Sequence, residues 1–206
     1  MIRVKICGLN DAAGFDAAVA AGADWLGFVF FARSPRHVTP RDAGTLSVRY
    51  VGGPPRVGLF VEPTDDEIDA TLDRIPLNIL QIYAAPARVA EIGALFDLPV
   101  WRAVGVTAAA DLPDAMDGAA ALLIEAKAPP GSDRPGGNAT RFDWAVTAGW
   151  SAPGPWLLAG GLTPDNVAEA VRTSGATAVD VSSGVESVRG VKDPARIAAF
   201  VQAARG

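Results

Sequence analysis

Short, nearly continuous apolar runs alternate along the chain with segments of helical character. The runs are residues 3–9 (RVKICGL), 25–31 (WLGFVFF), 57–61 (VGLFV), 78–83 (NILQIY), 100–106 (VWRAVGV), 121–126 (ALLIEA), 156–160 (WLLAG) and 178–182 (AVDVS). Most do not alternate apolar with polar, as strands with one wet face do. They read as strands covered on both faces, the pattern of a parallel sheet.

The intervening segments carry helix start signals. Thr64 followed three residues later by Glu67 is a capping box. Thr163 before Pro164 reads as a cap with proline in the first turn, and Asp193-Pro194 opens the last helix. Residues 11–20, 87–96 and 142–148 also read as helical, and 41–50 and 108–116 carry fewer apolar anchors. Eight strand–helix units at roughly 26 residues each predict a compact α/β fold, a (β/α)8 TIM barrel formed by residues 1–206 as one domain. An open doubly wound sheet shares the same pattern, because a strand count does not show closure. The Pro/Gly-rich stretch 128–138 (APPGSDRPGGN) reads as a long loop after the sixth strand.

Composition narrows the chemistry. The 206 residues include one Cys, one His, 18 Lys and Arg, and 23 Asp and Glu, for a net charge of −5. A single Cys rules out an internal disulfide and a multi-thiolate metal site, and a single His rules out a two-histidine zinc motif. An acidic chain without a basic stripe argues against nucleic acid as a partner. No apolar run reaches the roughly 18 residues that a membrane span needs. The opening residues go straight into a strand without a signal-peptide layout, so a cytoplasmic protein is expected. Catalysis should rest on carboxylates, the lone thiol, Arg or Lys.

In a (β/α)8 barrel the site lies at the C-terminal ends of the strands. The first strand ends in Lys5-Ile6-Cys7, and alternation puts Lys5 and Cys7 on one face. A lone thiol is commonly core filler. As a proton carrier it needs a lowered pKa. After the second strand come Arg33, Arg36 and His37, either a solvated loop or an anion clamp, since a guanidinium fork fits carboxylate or phosphate. The sixth strand carries Glu125 and Lys127, either an ion pair or a general acid with a raised pKa. The seventh ends in Gly160-Gly161 and the eighth in Asp180-Val181-Ser182-Ser183-Gly184. Glycines admit close approach of backbone N–H groups to an anion and hydroxyls add donors, so these consecutive loops predict a phosphate site.

Together these motifs resemble the phosphoribosylanthranilate isomerase family of tryptophan biosynthesis. The likeness runs from KICGL at residues 5–9 through GADWLGFVF at 22–30 and Ser34-Pro35-Arg36 to LAGGL at 158–162, DVSSGVE at 180–186 and GVKD at 190–193. It implies a metal-free, cofactor-free isomerase whose partner is a small phosphosugar, as a monomer or a homodimer. The family reaction is an Amadori rearrangement of N-(5-phosphoribosyl)anthranilate. By motif position, Glu125 would be the general acid and Cys7 the general base, with Lys5 as the cation that favours its thiolate. Arg36 would hold the anthranilate carboxylate, Asp180 would support the sugar, and Gly160, Gly161, Ser182, Ser183 and Gly184 would line the phosphate site.

The chain departs from the family pattern in three places. Glu125 stands where Asp is usual, Gln81-Ile82-Tyr83-Ala84 replaces Gln-Leu-His-Gly, and Gly136-Gly137-Asn138-Ala139 replaces Gly-Gly-x-Gly. The resemblance leaves two other readings to weigh. A histidine-pathway sugar isomerase would show a half-barrel repeat, two phosphate sites and an acidic residue at position 7. A non-catalytic phosphosugar-binding barrel would account for Glu125, Tyr83 and Ala84.

Overall fold

The computed structural model describes residues 1–128, 131 and 143–206. Eight parallel strands close into a barrel in chain order: β1 (Arg3–Cys7), β2 (Trp25–Val29), β3 (Arg56–Val61), β4 (Ile79–Tyr83), β5 (Val100–Val106), β6 (Ala121–Ala126), β7 (Trp156–Leu158) and β8 (Ala178–Val181). Closure comes from β1 pairing with both β2 and β8, with Cys7 opposite Gly27 and Lys5 opposite Asp180. The open-sheet alternative is thereby excluded.

The helices are α1 (Ala12–Ala20), α2 (Pro40–Ser47), α3 (Asp65–Leu72), α4 (Pro86–Phe96), α5 (Val167–Ser174) and α6 (Pro194–Arg205). They cover the outward strand residues, such as Val4, Ile6, Leu26, Phe28, Leu80 and Ile82, in one apolar layer. Capping follows local chemistry. Asp11 accepts from the Gly14 amide at the start of α1, and Asp193 accepts from the Ala195 and Arg196 amides at the start of α6. Thr64 and Glu67 form both halves of the capping box on α3.

Four expectations are corrected. Residues 108–116 hold only a 3-10 turn at Ala109–Asp111, because Pro113 disfavours helix in the residue before it. Only a 3-10 turn, Trp144–Thr147, occupies the described part of 142–148; it is too short to repeat a helical face, and Phe142 lies outside the described residues. Thr163 is not a helix cap. Its amide is held by the Asn166 side chain, its carbonyl closes a turn onto the Asn166 and Val167 amides, and α5 begins only at Val167. The first strand stops at Cys7, because Gly8 turns the backbone with φ +76°. The Gly8 and Leu9 amides then both donate to the Gly27 carbonyl. The Gly136–Ala139 stretch and most of the 128–138 loop lie outside the described residues.

A two-stranded antiparallel hairpin, β9 (Glu186–Val188) and β10 (Val191–Lys192), follows β8 and was not foreseen.

Candidate active site

Inward side chains lie at alternate strand positions and stack in levels. The lowest is an apolar plug of Trp25, Val57, Ile79, Trp101, Ala121, Leu157 and Ala178. At the C-terminal ends Cys7, Val29 and Leu59 pack with Phe31, Val61 and Tyr83. The plug makes the barrel a floor rather than a pore, and polar chemistry is confined to its upper half.

Lys5 is fully buried, and its Nζ donates to Asp180 Oδ1 at 2.8 Å. Gly27 makes the room: a Cβ there would lie 3.1 Å from Lys5 Nζ and 3.0 Å from Cys7 Cα. Burial pushes the Lys5 ammonium down, but the Asp180 carboxylate, with Cys7, outweighs it and holds the group above its usual range. The pair is tightly coupled to the fold. Lys5→Met leaves a mostly buried carboxylate without its cation and is expected to destabilise the protein by about 3 kcal/mol. Urea denaturation of the variant beside the parent measures it, and an unchanged midpoint would refute the assignment.

Cys7 is 3 % exposed. Burial is the largest influence on its thiol and raises it; Lys5 pulls the other way, and the net position stays above the ordinary thiol value. Lys5 thus acts in the expected direction without producing a lowered thiol in the unliganded protein.

Glu125 is the penultimate residue of β6, 5 % exposed and opposite Gly105 of β5, whereas Lys127 just past the strand is exposed. The Tyr83 hydroxyl interacts with the Glu125 carboxyl. Burial first, then Glu125, Asp180 and Cys7, hold that hydroxyl well above its usual range. The phenol at the end of β4 thus meets Glu125 and packs on the cluster that holds Cys7. The His of the family pattern is replaced by a group that stays protonated there.

The two loop arginines are separated. Arg33 and His37 are exposed, while Arg36 is 4 % exposed. The Arg36 stem runs over Gly8, where a Cβ would lie 2.8 Å from Arg36 Cδ, next to Cys7. Its Nε and Nη2 donate to the two oxygens of Glu186 at 2.6 and 3.1 Å. Glu186 also accepts from Lys192 Nζ and from the Gly190 amide, both at 3.0 Å. Burial alone would raise the Glu186 carboxyl, but these donors, Arg36 foremost, bring it below its usual range. Lys192 Nζ in turn donates to the Ser182 carbonyl at 2.9 Å, and Ser182 Oγ donates to the Cys7 carbonyl at 3.1 Å.

Gly160 and Gly161 follow β7 with φ +84° and +66°, and Ser183 and Gly184 open a 3-10 turn after β8. A Cβ on Gly184 would overlap the Leu162 carbonyl oxygen, so the two loops meet backbone to backbone. Beside them lies a cavity of about 590 Å³ lined by Gly161, Thr163, Ser183, Gly184 and Arg196 among others. Arg196, which brings a guanidinium to that wall, was not singled out from sequence, nor were the roles of Glu186 and Lys192. The Gly190 punctuation between two valines was the one signal of a hairpin there. Among the described residues no group of three or more His, Cys, Asp or Glu could hold a metal ion, and no helix is long and apolar enough to cross a membrane.

Comparison with known proteins agrees with this layout. Residues 4–203 match the family model described as N-(5'-phosphoribosyl)anthranilate (PRA) isomerase. The N-(5'-phosphoribosyl)anthranilate isomerase of Acidiphilium cryptum is 56 % identical over 207 residues, covering 99 % of this chain and 98 % of that protein. The crystal structure of the phosphoribosyl anthranilate isomerase of Thermotoga maritima superposes with TM-score 0.86 at 34 % identity over the full length of both chains. A further structure of such an isomerase, in complex with reduced 1-(o-carboxyphenylamino)-1-deoxyribulose 5-phosphate, gives TM-score 0.83 at 32 % identity, again over both full chains. By sequence and by fold, over nearly its whole length, this chain belongs to the N-(5'-phosphoribosyl)anthranilate isomerase family.

Proposed function

We propose that the chain is the isomerase that converts N-(5-phosphoribosyl)anthranilate to 1-(2-carboxyphenylamino)-1-deoxyribulose 5-phosphate in tryptophan biosynthesis, as a single cytoplasmic barrel domain. The observation that carries this reading is that Cys7, Glu125 and the Lys5–Asp180 pair are buried toward the C-terminal ends of β1, β6 and β8, at the barrel end that also bears the glycine loops.

The chemistry divides among these groups. The phosphate is held by the loops after β7 and β8, through Gly160, Gly161, Ser182, Ser183 and Gly184, with backbone N–H groups as the natural donors. Arg36 takes the anthranilate carboxylate. Glu125, as a carboxylic acid, gives its proton to the ribose ring oxygen. The anomeric C–O bond breaks, and the nitrogen lone pair forms the iminium. Cys7, as thiolate, removes the C2 proton, whose acidity the iminium raises, and the electron pair becomes the enolamine double bond. Protonation at C1 with loss of the enol proton yields the ketone. Asp180, fixed by Lys5, lies beside the sugar.

A thiol raised by burial suits this order of events. The iminium that forms in the pocket brings a positive charge next to Cys7 and favours its thiolate when that is needed. This reading needs both the glycine loops and the acid–base pair, whereas a binding-only barrel needs the loops alone. Complementation of a tryptophan auxotroph lacking this isomerase tests it: growth without tryptophan is expected. Failure by a soluble, folded product would overturn the proposal.

A further inference from the structure

The Glu186 network has no part in the proton transfers above, yet it holds an unusual amount of buried charge. One carboxylate, 6 % exposed, receives four donors: two from Arg36, one from Lys192 and the Gly190 amide. Burying a charge is costly unless it is paired and hydrogen-bonded, and such an arrangement fixes orientation more than it adds stability. What it orients is Arg36. A two-point pair between a guanidinium edge and a carboxylate leaves the planar group no rotational freedom about its stem.

The hairpin is shaped to deliver that carboxylate. Gly190 sits at φ +88°, where a Cβ would lie 2.6 Å from the carbonyl oxygen of Pro35, the residue before Arg36. Asn10 Nδ2 donates to the Gly190 carbonyl at 3.2 Å. Lys192 ties the far strand to Ser182 and, through Ser182 Oγ, to the Cys7 carbonyl. The β9–β10 hairpin is thus clamped against the Arg36 loop on one side and the Cys7 strand on the other.

We propose that Glu186 is a positioning residue for substrate selection: it fixes the Arg36 guanidinium so that the enzyme favours an N-ribosyl arylamine carrying an ortho carboxylate over one without it. This rests on the reading of Arg36 as the carboxylate ligand. The natural comparison is the same phosphoribosyl amine built on aniline, which has the ring and the phosphate but no carboxylate.

The test measures kcat and KM of the full chain on both substrates for the parent, Arg36→Met, Glu186→Gln and Glu186→Asp. Glu186→Gln is expected to lower kcat/KM on the anthranilate substrate about 10- to 100-fold, the range for a lost charged hydrogen bond. The loss should fall on KM, and the aniline substrate should change less than about threefold, within the scatter of a neutral contact. Glu186→Asp, which keeps the charge one methylene short, should restore part of the preference; if Glu186→Gln does not fold, the Asp variant alone carries the comparison. Loss of the preference in Arg36→Met, with loss in Glu186→Gln or partial loss in Glu186→Asp, supports the proposal. Loss in Arg36→Met with the preference kept in the Glu186 variants overturns it and leaves Arg36 as the ligand. An equal fall on both substrates in the Glu186 variants assigns the residue to the fold alone and also overturns it. If Arg36→Met keeps the preference, the reading of Arg36 fails and the positioning role falls with it.

Discussion

Cys7→Ser is expected to lower kcat by about 10²- to 10⁴-fold, the usual contribution of a positioned general base, while the protein stays folded. The substitution changes little volume at a site packed against Val29 and Leu59. It replaces an ionisable thiol by a hydroxyl that does not ionise in the working range, so the C2 proton loses its acceptor. The pH profile carries a second signature. A general base works deprotonated, and burial holds this thiol above its ordinary value. In the free enzyme kcat/KM should therefore rise with pH along a limb displaced above that of an exposed cysteine, and be lost as pH falls. Lys5 opposes the burial, so Lys5→Met should move the limb further up. The Ser variant should lack the limb altogether. Steady-state kinetics across pH, with a thermal melt of each variant, measures all of this, and near-native turnover by folded Cys7→Ser would remove Cys7 from the base role.

Glu125→Gln is expected to reduce kcat by a similar factor, about 10²- to 10⁴-fold, because ring opening loses its proton donor while shape and volume are kept. Glu125→Asp is the more instructive change. It restores the residue usual in the family but withdraws the carboxyl by one methylene from a pocket built around Glu, with Tyr83 beside it. A misplacement near 1 Å is worth about 100-fold, so the Asp variant should fall below the parent yet stay above the Gln variant. An Asp variant faster than the parent would mean that Glu125 and Tyr83 are not matched to each other. Full activity of the Gln variant would take ring-opening chemistry away from β6.

Glu125 stood out in the sequence because it interrupts an apolar strand near its C-terminal end, whereas Cys7 by itself reads as core filler and was singled out only through the family resemblance of its motif. The eight strands were legible because a parallel strand covered on both faces leaves an unbroken apolar run. The 3-10 turns after β5 and β6, where helices were expected, were not. A few polar and small residues between strands look alike whether they form an α-helix or a single 3-10 turn, and only Pro113 marks the difference in the first case. The Arg36–Glu186 pair was beyond reach for another reason. Its members lie 150 residues apart, and each alone reads as a solvated charge on a loop. Their meaning arises only when barrel closure brings β8 and its hairpin beside β1. Similarly, Lys5 reads as a cation near a thiol, but its pairing with Asp180 is a property of the β1–β8 register. The sequence placed the thiol beside a cation; it did not show that burial would outweigh that cation.

The most direct test of the account is to incubate the purified chain with N-(5-phosphoribosyl)anthranilate in deuterium oxide and follow the products by NMR. The acid–base route predicts conversion to the 1-deoxyribulose 5-phosphate derivative with solvent deuterium entering at C1, because the C2 proton passes to an exchangeable thiol before C1 is protonated. Folded protein that leaves the substrate only to its uncatalysed decay would contradict the account.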